Sequence, residues 1–206
     1  MAWDTEGTRR KILDAATAEF AARGLAGTTI EGIAKLAGVN KERVYHYFGS
    51  RPTLFARVLE EQLAAAASNV PLESFGAEDI AEYAGRLYDY HRQHPELMRL
   101  LQWEALAFAA DVPDEERRRQ HYGRKNAAIV TGQAAGVLTT AIDPDLLNIL
   151  LLGLAGYWAA LPQVARMVTG AAPDSEEDAR RRASVVEAAR RLTSPTPSEP
   201  PAAYPS

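Results

Sequence analysis

Lys41, Glu42, Tyr45 and His46 place four hydrogen-bonding side chains within six residues, with Lys41 and Tyr45 four apart and so one helical turn from each other. Lysine supplies donors that match the guanine acceptors of a major groove. Glutamate can only accept, from a cytosine amino group or from a neighbouring basic side chain, or else it faces solvent. The chemistry on offer is recognition rather than turnover. The 206-residue chain has no Ser-His-Asp spacing, phosphate loop, HExxH or Glu-x-x-His pattern, and without cysteine it has neither thiolate nucleophile nor disulfide. His91-x-x-His94 lacks a third ligand, and no metal or cofactor is expected.

The elements that must hold this face are short helices with explicit start and stop signals. A first helix is expected from about Thr8 to Arg23, with Ile12, Ala15, Ala16 and Phe20 on one face and Gly24 as its stop. Thr28-x-x-Glu31 has the capping-box pattern and opens a helix carrying Ile30, Ile33, Ala34 and Ala37 inward as far as Gly38. Asn40 caps a third helix ending near Phe48, and Ser50 caps a fourth from Arg51 to about Ser68, with Pro52 in its first turn. Two helices joined across Gly38, sharing Ile33, Ala37, Val44 and Phe48, form a helix-turn-helix.

Residues 8–60 resemble the TetR family of bacterial regulators. The resemblance rests on Phe20-x-x-Arg23-Gly24, Thr28-Thr29, Ile33-Ala34-x-x-Ala37-Gly38-Val39, Val44-Tyr45-His46-Tyr47-Phe48 and Leu54-Phe55. It implies phosphate contacts from Thr29, with Thr28 as a second candidate, and from Tyr47 and Arg51. Tyr47 otherwise serves as a ring covering the small core. The family usually has lysine where Arg51 stands, and arginine prefers a bidentate fork, so that contact differs in detail. Base readout falls to Lys41, Glu42 and Tyr45, with His46 on the same outer face and Arg43 as a phosphate ligand. Arg9-Arg10-Lys11 is either a further backbone contact or a solvated helix start.

Charge is unevenly divided. Residues 1–60 hold nine Lys/Arg against seven Asp/Glu, and residues 61–206 hold fourteen against twenty, so the net −4 belongs to the second part. Ala, Leu, Arg and Glu dominate at periods near 3.6, which implies an all-α chain without a 20–50-residue repeat. Further helices are expected at roughly 77–93, 95–110, 113–140, 144–168 and 175–193, with a kink at Pro162. The expected organisation is a helix-turn-helix DNA-binding domain (1–50), a helical-bundle effector-binding and dimerisation domain (51–193) and a disordered tail (194–206) with five prolines. The N-terminus lacks a basic stretch followed by an apolar one. The longest apolar run, Leu146 to Leu161, is too short to span a bilayer. A cytoplasmic protein without membrane contact is expected.

One reading helix makes too few contacts for specific affinity, so a homodimer on a palindromic site of double-stranded DNA is expected. The helix around Leu146–Leu161 is apolar nearly all round, which suits burial against its own domain on one side and a partner on the other. Leu147, Leu150, Leu151, Leu154 and Leu161, with Val186 and Ala189 of the last helix, are the candidate interface, and Gly153 and Gly156 permit close approach. The resemblance implies the same four-helix interface. Tyr88, His91, Trp103, Phe108, Tyr122, Asn126, Gln133, Tyr157 and Trp158 are either core or the lining of an effector cavity. The function implied is a repressor released by a small, largely apolar effector. A regulator with the same head and no effector is the alternative, favoured by a dry, fully packed second domain.

Overall fold

The computed structural model describes residues 5–72, 74–108, 112, 115–170 and 175–195. Their regular structure is helical throughout: α1 (Thr5–Gly27), α2 (Ile30–Ala37), α3 (Lys41–Phe48), α4 (Arg51–Asn69), α5 (Ala77–Gln93), α6 (Pro95–Ala107), α7 (Glu115–Ala134), α8 (Pro144–Ala160), α9 (Pro162–Thr169) and α10 (Ser175–Thr193). The fold is all-α, with a head of α1–α3 and a separate helical bundle behind it.

The head is built much as its signals imply. Ile12, Ala16, Phe20, Ile33 and Val44 are buried, and Ala37 and Phe48 close the same core. Gly24 interrupts α1 with φ 67°, after which the chain resumes helical turns to Gly27. The α2–α3 turn is a Schellman stop. Gly38 lies at φ 68°, ψ 34°, its N–H donates to Lys35 O (3.3 Å), and Val39 N–H donates to Ala34 O (3.0 Å). Asn40 and Ser50 accept from the N–H groups of Arg43 (2.9 Å) and Thr53 (3.3 Å), as N-caps should.

The expected Thr28–Glu31 capping box does not form. Thr29 is the N-cap of α2, accepting from Gly32 N–H at 3.0 Å. Thr28 is fully buried and donates its hydroxyl to Glu19 O at 3.1 Å, tying the entry of α2 to α1. Sequence spacing does not distinguish these two adjacent threonines; packing against α1 does.

Phe20 of α1 meets Phe55 of α4 edge-on with ring centres 5.2 Å apart, and Phe55 meets Phe108 at 6.1 Å. This aromatic relay joins head to body. Behind it, α5 is the central helix, packed along α10 and α8. Arg182 of α10 donates to Asp89 (2.7 Å) and Glu82 (3.1 Å), and Arg190 donates to Glu78 (2.7 Å).

Three expected boundaries move. α6 ends at Ala107, before the expected 110. α7 ends at Ala134, because Gly136 turns the chain at φ 70° and Gln133 donates to Thr139 O and Ile142 O, both at 2.8 Å. Pro162 does more than kink its helix: α8 and α9 meet at 86°. The missing N–H and the ring clash of an internal proline end the helix that precedes it. No single helix among the described residues is long and apolar enough to cross a membrane, although the bent α8–α9 pair passes jointly on length and composition. The start of α7 expected at 113 and the tail from 196 onward lie outside the described residues.

Candidate nucleic-acid interface and cavity

α3 presents Lys41, Glu42, Tyr45 and His46 to solvent, with Tyr45 49% exposed, while Val44 and Phe48 turn inward. An eight-residue helix of this kind is a ridge of polar side chains on an apolar anchor. Lys41 Nζ lies 3.9 Å from Glu31 Oε1 with both groups exposed, an ion pair that contributes little and can open. Thr29 is exposed. Its oxygen accepts from Gly32, which leaves its hydroxyl proton available to an outside acceptor beside the α2 N-terminus. Arg51 donates to Thr28 O at 2.7 Å and so stands beside the same entry.

The structure changes one of the sequence assignments here. Thr28 is removed as a phosphate ligand, because its side chain is buried and its hydroxyl is committed to α1. Tyr47 is half-buried, edge-on to His46 (5.4 Å between ring centres) and 6.3 Å from Phe48, so its ring does cover the core. Arg43 is half-buried on the same helix. Of the basic cluster in α1, Arg9 lies over the Phe48 ring at 5.9 Å, and Arg10 pairs with Asp14 at 2.8 Å.

The nine candidate cavity residues separate into three groups. His91, at the end of α5, is shared by two cavities. The inner one, about 150 Å³, lies among α4 to α8; Leu63, Leu87, Leu97, Leu101 and Leu152 line it together with Met98, His91, Tyr122 and Lys125. The outer one, about 230 Å³, takes in Tyr88, Trp158, Arg92, Arg99, Asp178 and Arg181. Tyr88 and Trp158 meet edge-on at 6.4 Å, and the Arg181 guanidinium lies 5.3 Å above the Trp158 ring.

The remaining candidates are placed elsewhere. Trp103 and Phe108 belong to the seam between head and body. Asn126 accepts from Asn148 Nδ2 at 2.7 Å, and Gln133 holds the turn after α7. Tyr157 is 47% exposed on the outer face of α8. His91 and His94 are split: His94 stacks near Tyr90 (4.3 Å) and approaches Glu96 at 3.3 Å. Among the described residues no group of three side chains is placed to hold a metal.

Lys125 was not among the sequence candidates. It lies three residues after Tyr122 and four before Ile129, so the apolar period of α7 already put it on the inward stripe. Burial lowers its pKa to about 8. Burial also lowers His91, to about 4, with the Lys125 charge as the second cause. Burial raises Tyr88.

α8 has two apolar faces. Leu147, Leu151 and Ala155 are buried in the protomer, while Leu146 (54% exposed), Ile149 (65%), Leu150, Tyr157 and Leu161 form a stripe on the outside. Leu154 is half-buried. Leu147, Leu151, Val186 and Ala189 are therefore corrected from interface to core. Val186 sits against α5, where a Cβ on Gly85 would meet it at 2.7 Å. Gly156 turns inward toward Met98 and His91, whereas Gly153 opens outward with nothing near it.

A three-helix head with an exposed polar second reading helix, mounted on a helical bundle, is a DNA-binding transcription regulator of the helix-turn-helix class. Residues 12–58 match the model of "Bacterial regulatory proteins, tetR family", and residues 79–191 match "Tetracyclin repressor-like, C-terminal domain". The chain belongs to the TetR family. It is 44% identical to the HTH-type transcriptional repressor SCO4008 of Streptomyces coelicolor over 92% of this chain and 96% of that protein. It is 31% identical to the regulator RutR of Escherichia coli over 79% of each. A crystal structure of the transcriptional regulator SCO4942 of Streptomyces coelicolor superposes with a TM-score of 0.78, at 32% identity over 90% of this chain and 98% of that one.

Proposed function

We propose that the chain is a homodimeric repressor, released from a palindromic operator when a small, largely apolar effector enters its body. The observation that carries this reading is the double role of α6. Leu97, Met98 and Leu101 wall the inner cavity, and Trp103 of the same helix donates to Ala21 O of α1 at 3.3 Å. An effector that favours one position of α6 thereby favours one position of the head. Release requires that it bind the two arrangements unequally.

Residues 1–50 then form the DNA-binding unit and 51–193 the effector and dimer unit. Lys41, Glu42, Tyr45 and His46 face the major groove, and Thr29, Arg43, Tyr47 and Arg51 take the phosphates. The outer stripe of α8 supports the dimer, because a lone protomer leaves Ile149 and Leu150 in water. Paired heads read half-sites about one helical turn, roughly 34 Å, apart. The SCO4008 relative is itself a repressor, which supports the sign of regulation.

The test is gel retardation of the DNA flanking the protein's own coding region, from low to physiological salt. Affinity should fall steeply as salt rises, since phosphate contacts release counterions. Lys41→Ala with Tyr45→Ala should abolish the specific complex. Salt-insensitive binding, or an unaffected double variant, overturns the reading.

A further inference from the structure

Lys125 carries its ammonium into a cavity of apolar side chains, donating to the Tyr83 hydroxyl and lying 4.7 Å from the Tyr83 ring centre. No described carboxylate lies within ion-pair distance of it. Glu104, on the adjoining α6, is taken by Arg118 at 2.6 Å, and Asp89 of α5 by Arg182 at 2.7 Å. His91, on the wall of the same cavity, has a buried Nδ1 without a hydrogen-bond partner. A half-buried cation whose hydrogen-bond partner is a neutral hydroxyl, and a buried imidazole nitrogen with no partner, are both costly. Burial lowers the pKa of both groups, and the Lys125 charge adds to the shift of His91.

The outer cavity shares the His91 wall. Arg92, Arg99 and Arg181 line it with Asp178; Arg92 is paired with Asp178 at 3.2 Å and Arg181 with Glu177 at 2.8 Å, which leaves Arg99 as its cation outside these ion pairs. The inner volume of about 150 Å³ suits a body about the size of one aromatic ring, as an apolar cavity of this size does elsewhere.

Building on the effector reading above, we infer that the ligand of this site is a small apolar acid, its carboxylate held by Lys125 Nζ on the His91 side of the cavity, its hydrocarbon body among Leu97, Leu101 and Leu152. The acid gives the Lys125 charge an anionic partner, which the neutral Tyr83 hydroxyl is not. A neutral ligand of the same shape leaves that charge without an anion, and a cationic one adds a second positive charge.

The experiment uses the full-length protein and calorimetric titration with two skeletons, each in three forms: benzoate, benzyl alcohol and benzylammonium; octanoate, octanol and octylammonium. At least one acid should bind about tenfold or more tighter than its alcohol and amine, the scale of one charge-assisted hydrogen bond. The preference should disappear in Lys125→Met, which keeps the apolar stem, and in Lys125→Gln. It should survive in Lys125→Arg. Operator retardation by each variant reports whether it is folded. The inference is overturned if neither acid is preferred or if the preference persists in both Lys125→Met and Lys125→Gln. If an alcohol or amine binds best and releases the operator, the acid assignment fails while effector control stands. If none of the six binds, the acid assignment fails on binding itself, and undiminished retardation leaves the DNA-binding reading intact.

Discussion

Trp103 lies on the backbone of Gly24: its indole N–H donates to Ala21 O at 3.3 Å, and a Cβ on residue 24 would come within 2.6 Å of the ring. The glycine is needed twice there, for its positive φ and for the space the indole fills. The break in α1 is therefore where the body grips the head.

Gly24→Ala should lower the unfolding free energy by about 2–4 kcal/mol, combining left-handed strain with overpacking. Adding Trp103→Ala should recover the overpacking part and leave the strain. A urea-denaturation double-mutant cycle measures the coupling, and additive effects would mean that the contact is not formed.

The two adjacent threonines should behave differently. Thr28→Val removes a buried hydroxyl donor and should cost about 1–2 kcal/mol of stability, with the salt slope of DNA binding unchanged. Thr29→Ala removes the α2 cap, about 1 kcal/mol, and should also weaken operator binding. Denaturation and retardation on the same preparations separate the two effects.

On α8 the outer and inner faces should divide association from folding. Ile149→Lys should yield monomers in sedimentation velocity with little change in protomer stability. Leu147→Ala should cost about 2–5 kcal/mol through a cavity while the dimer contact face stays intact. Dissociation by Leu147→Ala alone would reverse the assignment of faces.

His91 should remain neutral well below the usual histidine range. Its folded pKa, about 4, lies under its ordinary 6.5. The unfolded chain therefore binds the proton first, and stability falls as pH drops from 6.5 through 4. The groups facing it are Lys125 and Tyr122 from the inner cavity, and Tyr88, Arg92, Arg99, Asp178 and Arg181 from the outer. Imidazole NMR should place its titration near 4, and His91→Gln should remove its share of the acid slope.

Lys125→Met should stabilise the ligand-free protein at neutral pH, because the charged form is disfavoured by burial. Its folded pKa, about 8, lies below the ordinary 10.5, so the penalty is complete below 8 and fades as pH rises toward 10.5. Thermal unfolding of both proteins at pH 7 and pH 10 tests this, with the advantage of methionine expected to shrink at the higher pH.

Much of the head is legible in the chain because its determinants are local. Gly38, Asn40 and Ser50 act through their own φ or their own side-chain oxygen, within three residues of what they control. The apolar period of α2 likewise selects Ile30, Ile33, Ala34 and Ala37 without reference to any partner. The body is less legible, because an aromatic residue at helical spacing reads the same in a core, a seam or a cavity. Trp103 and Tyr122 illustrate this: equal candidates by type, they finish against α1 and against the inner cavity.

A polar reading helix carrying Lys41, Glu42, Tyr45 and His46 on an apolar anchor of Val44 and Phe48 is legible from residue order, since a 3.6-residue period divides those faces wherever the helix is placed. Helix packing sets the rest: Thr29 rather than Thr28 caps α2, Ile149 rather than Leu147 faces outward, and Lys125 stands without a carboxylate beside His91. Each of those turns on which helix lies across which face. The energies that choose it come from contacts between residues distant in the chain, and neither composition nor spacing records them.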